Sequence, residues 1–194
     1  MNKFKITVCA SGGGGNFQAL IDARRKHDFQ INCLIVDREC GAIERAKIVG
    51  IPFFRVENSK KNLSLDLNNL IPADTNLIVL AGFMPIVPKD MCDKWKGKII
   101  NTHPSLLPKY GGKGMYGVKV QEAVIAAGER YAGCTIHYVN SEIDGGEIIL
   151  QKSIAVNYKE SSWQLGGRVF VEEAKLLVEA VNLLKSKKYL MSSL

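Results

Sequence analysis

Strand-like apolar runs recur along the chain at 6–10, 31–36, 77–81 and 98–101, and the stretches between them, such as 16–26 and 43–50, are patterned as helices. This alternation predicts parallel strands joined by crossover helices. Several of the runs are apolar at successive rather than alternate positions, so both faces of those strands should be covered. The fold class is α/β, a mostly parallel twisted sheet flanked by helices.

Beyond Pro108 the texture changes. A glycine-rich loop at 111–117 leads into a helix-like stretch at 120–128, and two strand-like segments follow at 133–139 and 147–155, with a turn-rich 140–146 between them. Such a pair reads as antiparallel strands added to the edge of the parallel sheet, in the C-terminal part of the chain. Over 161–187, Leu165, Val169, Leu176, Val178, Val181 and Leu184 recur at helical spacing and predict a long helix packed over the sheet. No linker interrupts the pattern, so the 194 residues are expected to form a single domain over 1–194 around one core.

Composition adds constraints. With 46% hydrophobic and 23% charged residues the chain has the profile of an ordinary globular protein. The N-terminal stretch has no apolar run of signal-peptide or membrane length, so the expected compartment is the cytoplasm, with no membrane partner. The five cysteines (Cys9, Cys33, Cys40, Cys92 and Cys134) are scattered and lack CxxC or Cys/His spacing, which indicates reduced thiols rather than disulfides or a zinc site. A formal charge of +7 raises nucleic-acid binding, yet the basic clusters at Lys60-Lys61, 94–98 and 185–188 are separate, and two fall near helix ends, where cations suit the dipole. No nucleic-acid partner is expected; anionic small molecules fit the same charge.

Three places carry candidate chemistry. Residues 11–16, Ser-Gly-Gly-Gly-Gly-Asn, lie between the first strand and the first helix, where glycines let backbone amides approach an anion at a helix N-terminus and Asn16 would serve as N-cap. The alternative is a tight turn that binds nothing, since neither the dinucleotide glycine pattern nor the Lys-Ser/Thr of a P-loop is present. Asn101 and His103 stand at the carboxyl end of a predicted parallel strand, where open α/β sheets bind ligands, and their spacing of two would aim both side chains the same way. A lone histidine is otherwise often structural. Asp144-Gly145-Gly146 reads alone as a turn, but a carboxylate facing His103 would orient the ring and favour its charged form. Only His27 and His137 accompany His103, and neither a HExxH metal motif nor a GxSxG elbow occurs.

Together, SGGGGN at 11–16, IVLAGFMPIVP at 78–88, INTHPSLLPKYGGKG at 100–114 and GCTIHYVNSEIDGGEIILQ at 133–151 resemble the glycinamide ribonucleotide formyltransferases of purine biosynthesis, over nearly the whole chain. The HPSLLP string followed by a DGG turn is the most specific part. The resemblance implies a Rossmann-like fold and transfer of a formyl group from 10-formyltetrahydrofolate to the amine of glycinamide ribonucleotide, without a metal, by a monomer or homodimer. It implies that Asn101, His103 and Asp144 are the catalytic trio. Asn101 and His103 would stabilise the oxyanion formed as the amine attacks, while Asp144 tunes His103 and assists proton transfer. Gly12, Gly13, Gly14, Gly15 and Asn16 would hold the substrate phosphate, joined by Lys60 or its neighbour Lys61. On the last helix Arg168 and Glu173 match substrate-side positions, with Glu173 meeting the glycinamide amine or ribose. Met84, Pro85, Ile86 and Val87 together with Val139, Asn140, Ser141, Glu142, Ile143 and Asp144 would line the folate pocket.

Three residues depart from the family's pattern: Gly15 stands where Ser is common, Pro85 where Arg is frequent, and Phe170 where a polar residue is expected. Two other functions fit parts of the chain. A formyltransferase for methionyl-tRNA or a sugar-nucleotide amine would use the same trio, although the tRNA enzyme normally adds a basic C-terminal domain. A folate- or nucleotide-binding module without catalysis would leave the trio without a role.

Overall fold

The computed structural model describes residues 3–56 and 62–191. Its elements run β1 (Phe4–Ala10), α1 (Gly15–Ala23), β2 (Phe29–Val36), α2 (Gly41–Val49), β3 (Phe53–Arg55), α3 (Leu63–Leu70), β4 (Leu77–Leu80), α4 (Lys89–Lys94), β5 (Ile99–His103), α5 (Val118–Ala126), β6 (Tyr131–Tyr138), β7 (Ile148–Ala155) and α6 (Ser162–Met191). Among the described residues the sheet has seven strands, in the order β3-β2-β1-β4-β5-β6-β7. Strands β1 to β5 pair in parallel, and β6 and β7 add antiparallel to β5 and to each other.

Alternation along each strand feeds two apolar clusters. Ile6, Val8, Ala10, Leu77, Val79 and Ile100 join Phe17 and Leu20 of α1, Ala42 and Ala46 of α2, Val120 of α5 and Leu177 of α6. Cys9, Cys33, Ile35, Ile78, Leu80 and Ile99 instead join Leu63 and Leu67 of α3 and Met91 and Cys92 of α4. Helices therefore cover both faces, which explains why these strands are apolar at successive positions.

The chain runs outward from β1 to β3 and then returns to β4 on the other side of β1. Strand order reverses between β1 and β4, and such a reversal opens a crevice at the carboxyl strand ends. The loops after β1 and β4 meet there: the Ser11 amide donates to the Gly82 carbonyl at 3.0 Å, and the Met84 amide donates to the Ser11 hydroxyl at 2.8 Å. The next strand, β5, extends through His103 because its antiparallel ladder with β6 continues to the pair His103↔Thr135.

Two expectations need restating. Helix α1 begins with Gly14 as its N-cap, in the left-handed region at φ 72°, and no side chain caps it. Asn16 is thus not the cap; its side chain turns inward to other partners. Lys60 and Lys61 lie outside the described residues.

Candidate active site

The sheet itself aims Asn101 and His103 to one side, two positions apart on β5, while Thr102 between them faces the opposite layer. His103 is buried and held at both ring nitrogens. Nε2 lies 2.8 Å from the Tyr110 carbonyl oxygen, and Nδ1 lies 3.4 Å from Asp144 Oδ2. A ring N–H is required at Nε2, because a carbonyl can only accept. The Nδ1 separation is that of an ion pair rather than a close hydrogen bond, so this nitrogen is open to a third atom.

Asp144 reaches this place from the turn between β6 and β7. The Gly112 amide donates to its Oδ2 at 2.8 Å. Within the turn, the Glu142 amide donates to Asn140 Oδ1 at 2.9 Å, and the Gly145 amide donates to the Glu142 carbonyl at 3.2 Å. Gly146 has no alternative: a Cβ there would lie 1.7 Å from the Tyr138 carbonyl oxygen. Among the described residues, the non-glycine residues at positive φ are Asp28, Tyr110 and Asp144. Two of those three grip the His103 imidazole, a concentration of unfavourable backbone conformation of the kind found at working sites.

His137, opposite Asn101 in the β5–β6 ladder, completes the cluster. Burial pushes its pKa down, against the opposing pull of the Tyr138 carbonyl and Asp144. Nδ1 lies 2.8 Å from the Tyr138 carbonyl and so carries the proton of the neutral ring, leaving Nε2 to accept from the Asn101 amide at 3.2 Å. Asp144 Oδ1 stands 3.7 Å from the same Nε2. Imidazole, carboxamide and carboxylate from three segments thereby face one space. The sequence pattern hides His137 inside an apolar strand; its only signal is that Thr135 and His137 alternate polar positions on one face.

The glycine loop lies beside this cluster at the switch point. Gly12 and Gly13 are exposed, with open space around both α-carbons. Their neighbours fix the loop from α2: the Ala42 amide donates to the Gly12 carbonyl at 3.1 Å, and Arg45 Nε donates to the Gly13 carbonyl at 2.7 Å. Arg45, which sequence reasoning passed over, brings a cation to the loop. Below it, Asn16 Nδ2 donates to Glu173 at 2.5 Å, and the Thr102 hydroxyl donates to the same carboxylate oxygen. Glu173 is only 6% exposed, and burial raises its pKa, with Thr102 and Asn16 working against that. Arg168 is engaged elsewhere, with Glu160 at 2.5 Å and the Ala155 carbonyl at 3.0 Å.

The two expected folate segments adjoin the cluster on its other side. Val87 and Val139 both pack against the α3–α4 apolar cluster, and Cys92 Sγ, 3.3 Å from the Asn140 carbonyl, ties α4 to the second segment. Met84, Ile86 and Ile143 are exposed by 45%, 67% and 44%, apolar surface that a flat aromatic ligand could cover. Pro85 is half-buried and Ser141 exposed. Among the described residues no group of three or more His, Cys, Asp or Glu side chains is gathered as metal ligands would be. No helix there is long and apolar enough to cross a membrane.

Comparison with known proteins bears on this geometry. The formyl transferase family pattern matches residues 4–181. The chain is 37% identical over 180 residues to the phosphoribosylglycinamide formyltransferase of Haemophilus influenzae, covering 89% of this chain and 82% of that protein. It is 38% identical over 188 residues to the chloroplastic phosphoribosylglycinamide formyltransferase of Vigna unguiculata, covering 93% of this chain but only 60% of that protein's length. The crystal structure of phosphoribosylglycinamide formyltransferase from Coxiella burnetii superposes with a TM-score of 0.88 at 32% identity, covering 96% of this chain and 89% of the other. That from Anaplasma phagocytophilum gives 0.85 at 34% identity, over 96% and 89%. Matched along nearly its whole length in both sequence and fold, the chain belongs to the formyl transferase family, among the phosphoribosylglycinamide formyltransferases.

Proposed function

We propose that this chain, as one formyltransferase domain over 1–194, transfers the formyl group of 10-formyltetrahydrofolate to the amine of glycinamide ribonucleotide. The observation that carries the reading is the convergence of His103, Asn101 and Asp144 on one space beside an open glycine loop. The loop amides of Gly12 and Gly13, with the Arg45 charge behind them, suit the substrate phosphate. The exposed apolar residues of 84–87 and 139–144 suit the folate ring system. Lys60 remains the proposed second cation at the phosphate. The cytoplasm is the compartment this reading carries, although two plant relatives are chloroplastic.

In the reaction the amine nitrogen attacks the formyl carbon, forming a C–N bond while the carbonyl pair moves onto oxygen. Asn101 Nδ2–H and, with the ring in its imidazolium form, His103 Nδ1–H donate to that oxyanion. Asp144 orients the imidazole and accepts, through a water, the proton that the attacking nitrogen sheds. Collapse of the intermediate breaks the bond to the folate nitrogen, which takes up the proton that Asp144 received and leaves as tetrahydrofolate. His103 works in a buried setting where such donors are worth more than in water.

The test is a formyl-transfer assay with 10-formyltetrahydrofolate and three acceptors: glycinamide ribonucleotide, an amino-sugar nucleotide and methionyl-tRNA. Turnover with glycinamide ribonucleotide alone is expected. Turnover with another acceptor instead, or with none, overturns the reading.

A further inference from the structure

Gly15 and Phe170, far apart in sequence, meet each other. Phe170 lies on α6 and points the far edge of its ring at Gly15, where α1 starts. A Cβ built on Gly15 would sit 2.3 Å from Phe170 Cζ and 3.2 Å from both Cε atoms. The ring fills the volume that a side chain at position 15 would need. On the loop's other side, a Cβ on Gly14 would lie 2.8 Å from the Ala42 backbone. The glycine loop is therefore clamped between α2 and α6.

One turn further along α6, Glu173 accepts from the side chain of Asn16, the residue after Gly15. α6 thus touches two consecutive residues of the loop, once with an apolar ring and once with a carboxylate. Phe170 is 42% exposed, so its burial in the core does not explain its place. A half-exposed aromatic seated on a glycine of the loop has a positional role if it fixes the directions of the loop's N–H groups. A rigid seat of this kind lowers the ordering cost of binding.

We propose that Phe170 is a positioning residue for the anionic group of the substrate, and that Gly15 and Phe170 work as one unit. The ring takes the room of a hydroxyl-bearing side chain at position 15, and the loop then grips the anion through main-chain N–H donors held in place by that ring. The identity of the anion as the ribonucleotide phosphate rests on the proposed function above; the pairing does not.

The experiment compares the full chain with Phe170→Ala, Gly15→Ser and the double variant. Inorganic phosphate binding is measured by calorimetry, alongside KM and kcat for glycinamide ribonucleotide and the thermal midpoint. Each single variant is expected to weaken phosphate binding and raise KM roughly tenfold, the loss of about one charge-assisted hydrogen bond, with kcat within about twofold as for a purely ground-state contact. Because Gly15→Ser expels the same ring that Phe170→Ala removes, the double variant should be no weaker than either single one. Additive losses, or phosphate affinity unchanged in Phe170→Ala, would overturn the proposal. A variant that lowers the thermal midpoint is read by phosphate binding below its transition. Absence of turnover by the unaltered chain would remove the substrate assignment and leave the phosphate measurements to decide the pairing.

Discussion

His103 is positioned by two residues that themselves sit at positive φ, so its imidazole is placed by backbone conformation as much as by contact. Removing an oxyanion donor typically costs about 2.7 to 4 kcal/mol of barrier, so Asn101→Ala and His103→Ala should each lower kcat roughly a hundred- to thousandfold while circular dichroism stays that of the native fold. Near-full activity in either would remove that residue from the chemistry. His137 and Glu173 give opposite pH signatures. The folded His137 binds its proton more weakly than the unfolded ring of pKa 6.5, because burial opposes its charge. The unfolded chain then binds more protons as pH drops below 6.5, and stability is lost in that direction. His137→Gln should therefore lose less stability than the native chain between neutral and mildly acidic pH, as urea denaturation will report. Glu173, raised above 4.5 by burial, contributes most when protonated, and its contribution is lost as pH rises through the raised value. Glu173→Gln keeps an acceptor for Thr102 and Asn16, so its stability advantage should grow with pH above 4.5. Asn101, His103 and Asp144 stood out in the sequence because polar residues at a strand end and a DGG turn break an apolar pattern. His137 and Arg45 did not: their partners, Asn101 and the Gly13 carbonyl, are distant in sequence and become neighbours only through strand pairing and helix packing.

At the scale of elements, the buried central strands were legible because both faces carry apolar residues, and α6 because its apolar positions recur over a long stretch. β3 was not: its three residues are all exposed, and it is placed by pairing with β2. α4, of six residues, is likewise too short to display a helical period. The start of α1 misled for a different reason, since Asn16 is a favoured N-cap but Gly14 reaches the left-handed angle that the turn needs, freeing Asn16 for Glu173. In the proposed mechanism the β6–β7 turn is the element that places Asp144. Gly146→Ala would press a methyl against the Tyr138 carbonyl and shift Asp144, and a misplacement of about 1 Å can cost on the order of a hundredfold in rate. Activity of Gly146→Ala near the native level would show that the turn can shift without consequence. By contrast, Leu177→Ala on the buried face of α6 should cost about 2 to 5 kcal/mol of stability in urea while leaving kcat of the folded fraction unchanged.

Across the whole molecule, the strand order brings the loop after β1, the segment after β4 and the end of β5 to one edge, with the β6–β7 turn folding over it. Under the proposed function, that gathering would let one chain hold an anionic substrate and an aromatic carrier side by side. The alternation of strands and helices predicts the α/β sheet, but the pairing of partners across this edge depends on the antiparallel register of β6, which local pattern does not encode. The formal charge of +7 fits attraction of an anionic substrate over distance, so kcat/KM for glycinamide ribonucleotide should fall as ionic strength rises. The most direct measurement is a crystal structure with glycinamide ribonucleotide and an unreactive formyl-folate analogue bound together. The account predicts the analogue's carbonyl oxygen within hydrogen-bond reach of both Asn101 Nδ2 and His103, and the phosphate on the amides of Gly12 and Gly13. A carbonyl oxygen that meets neither side chain, or a phosphate bound away from the loop, would contradict it.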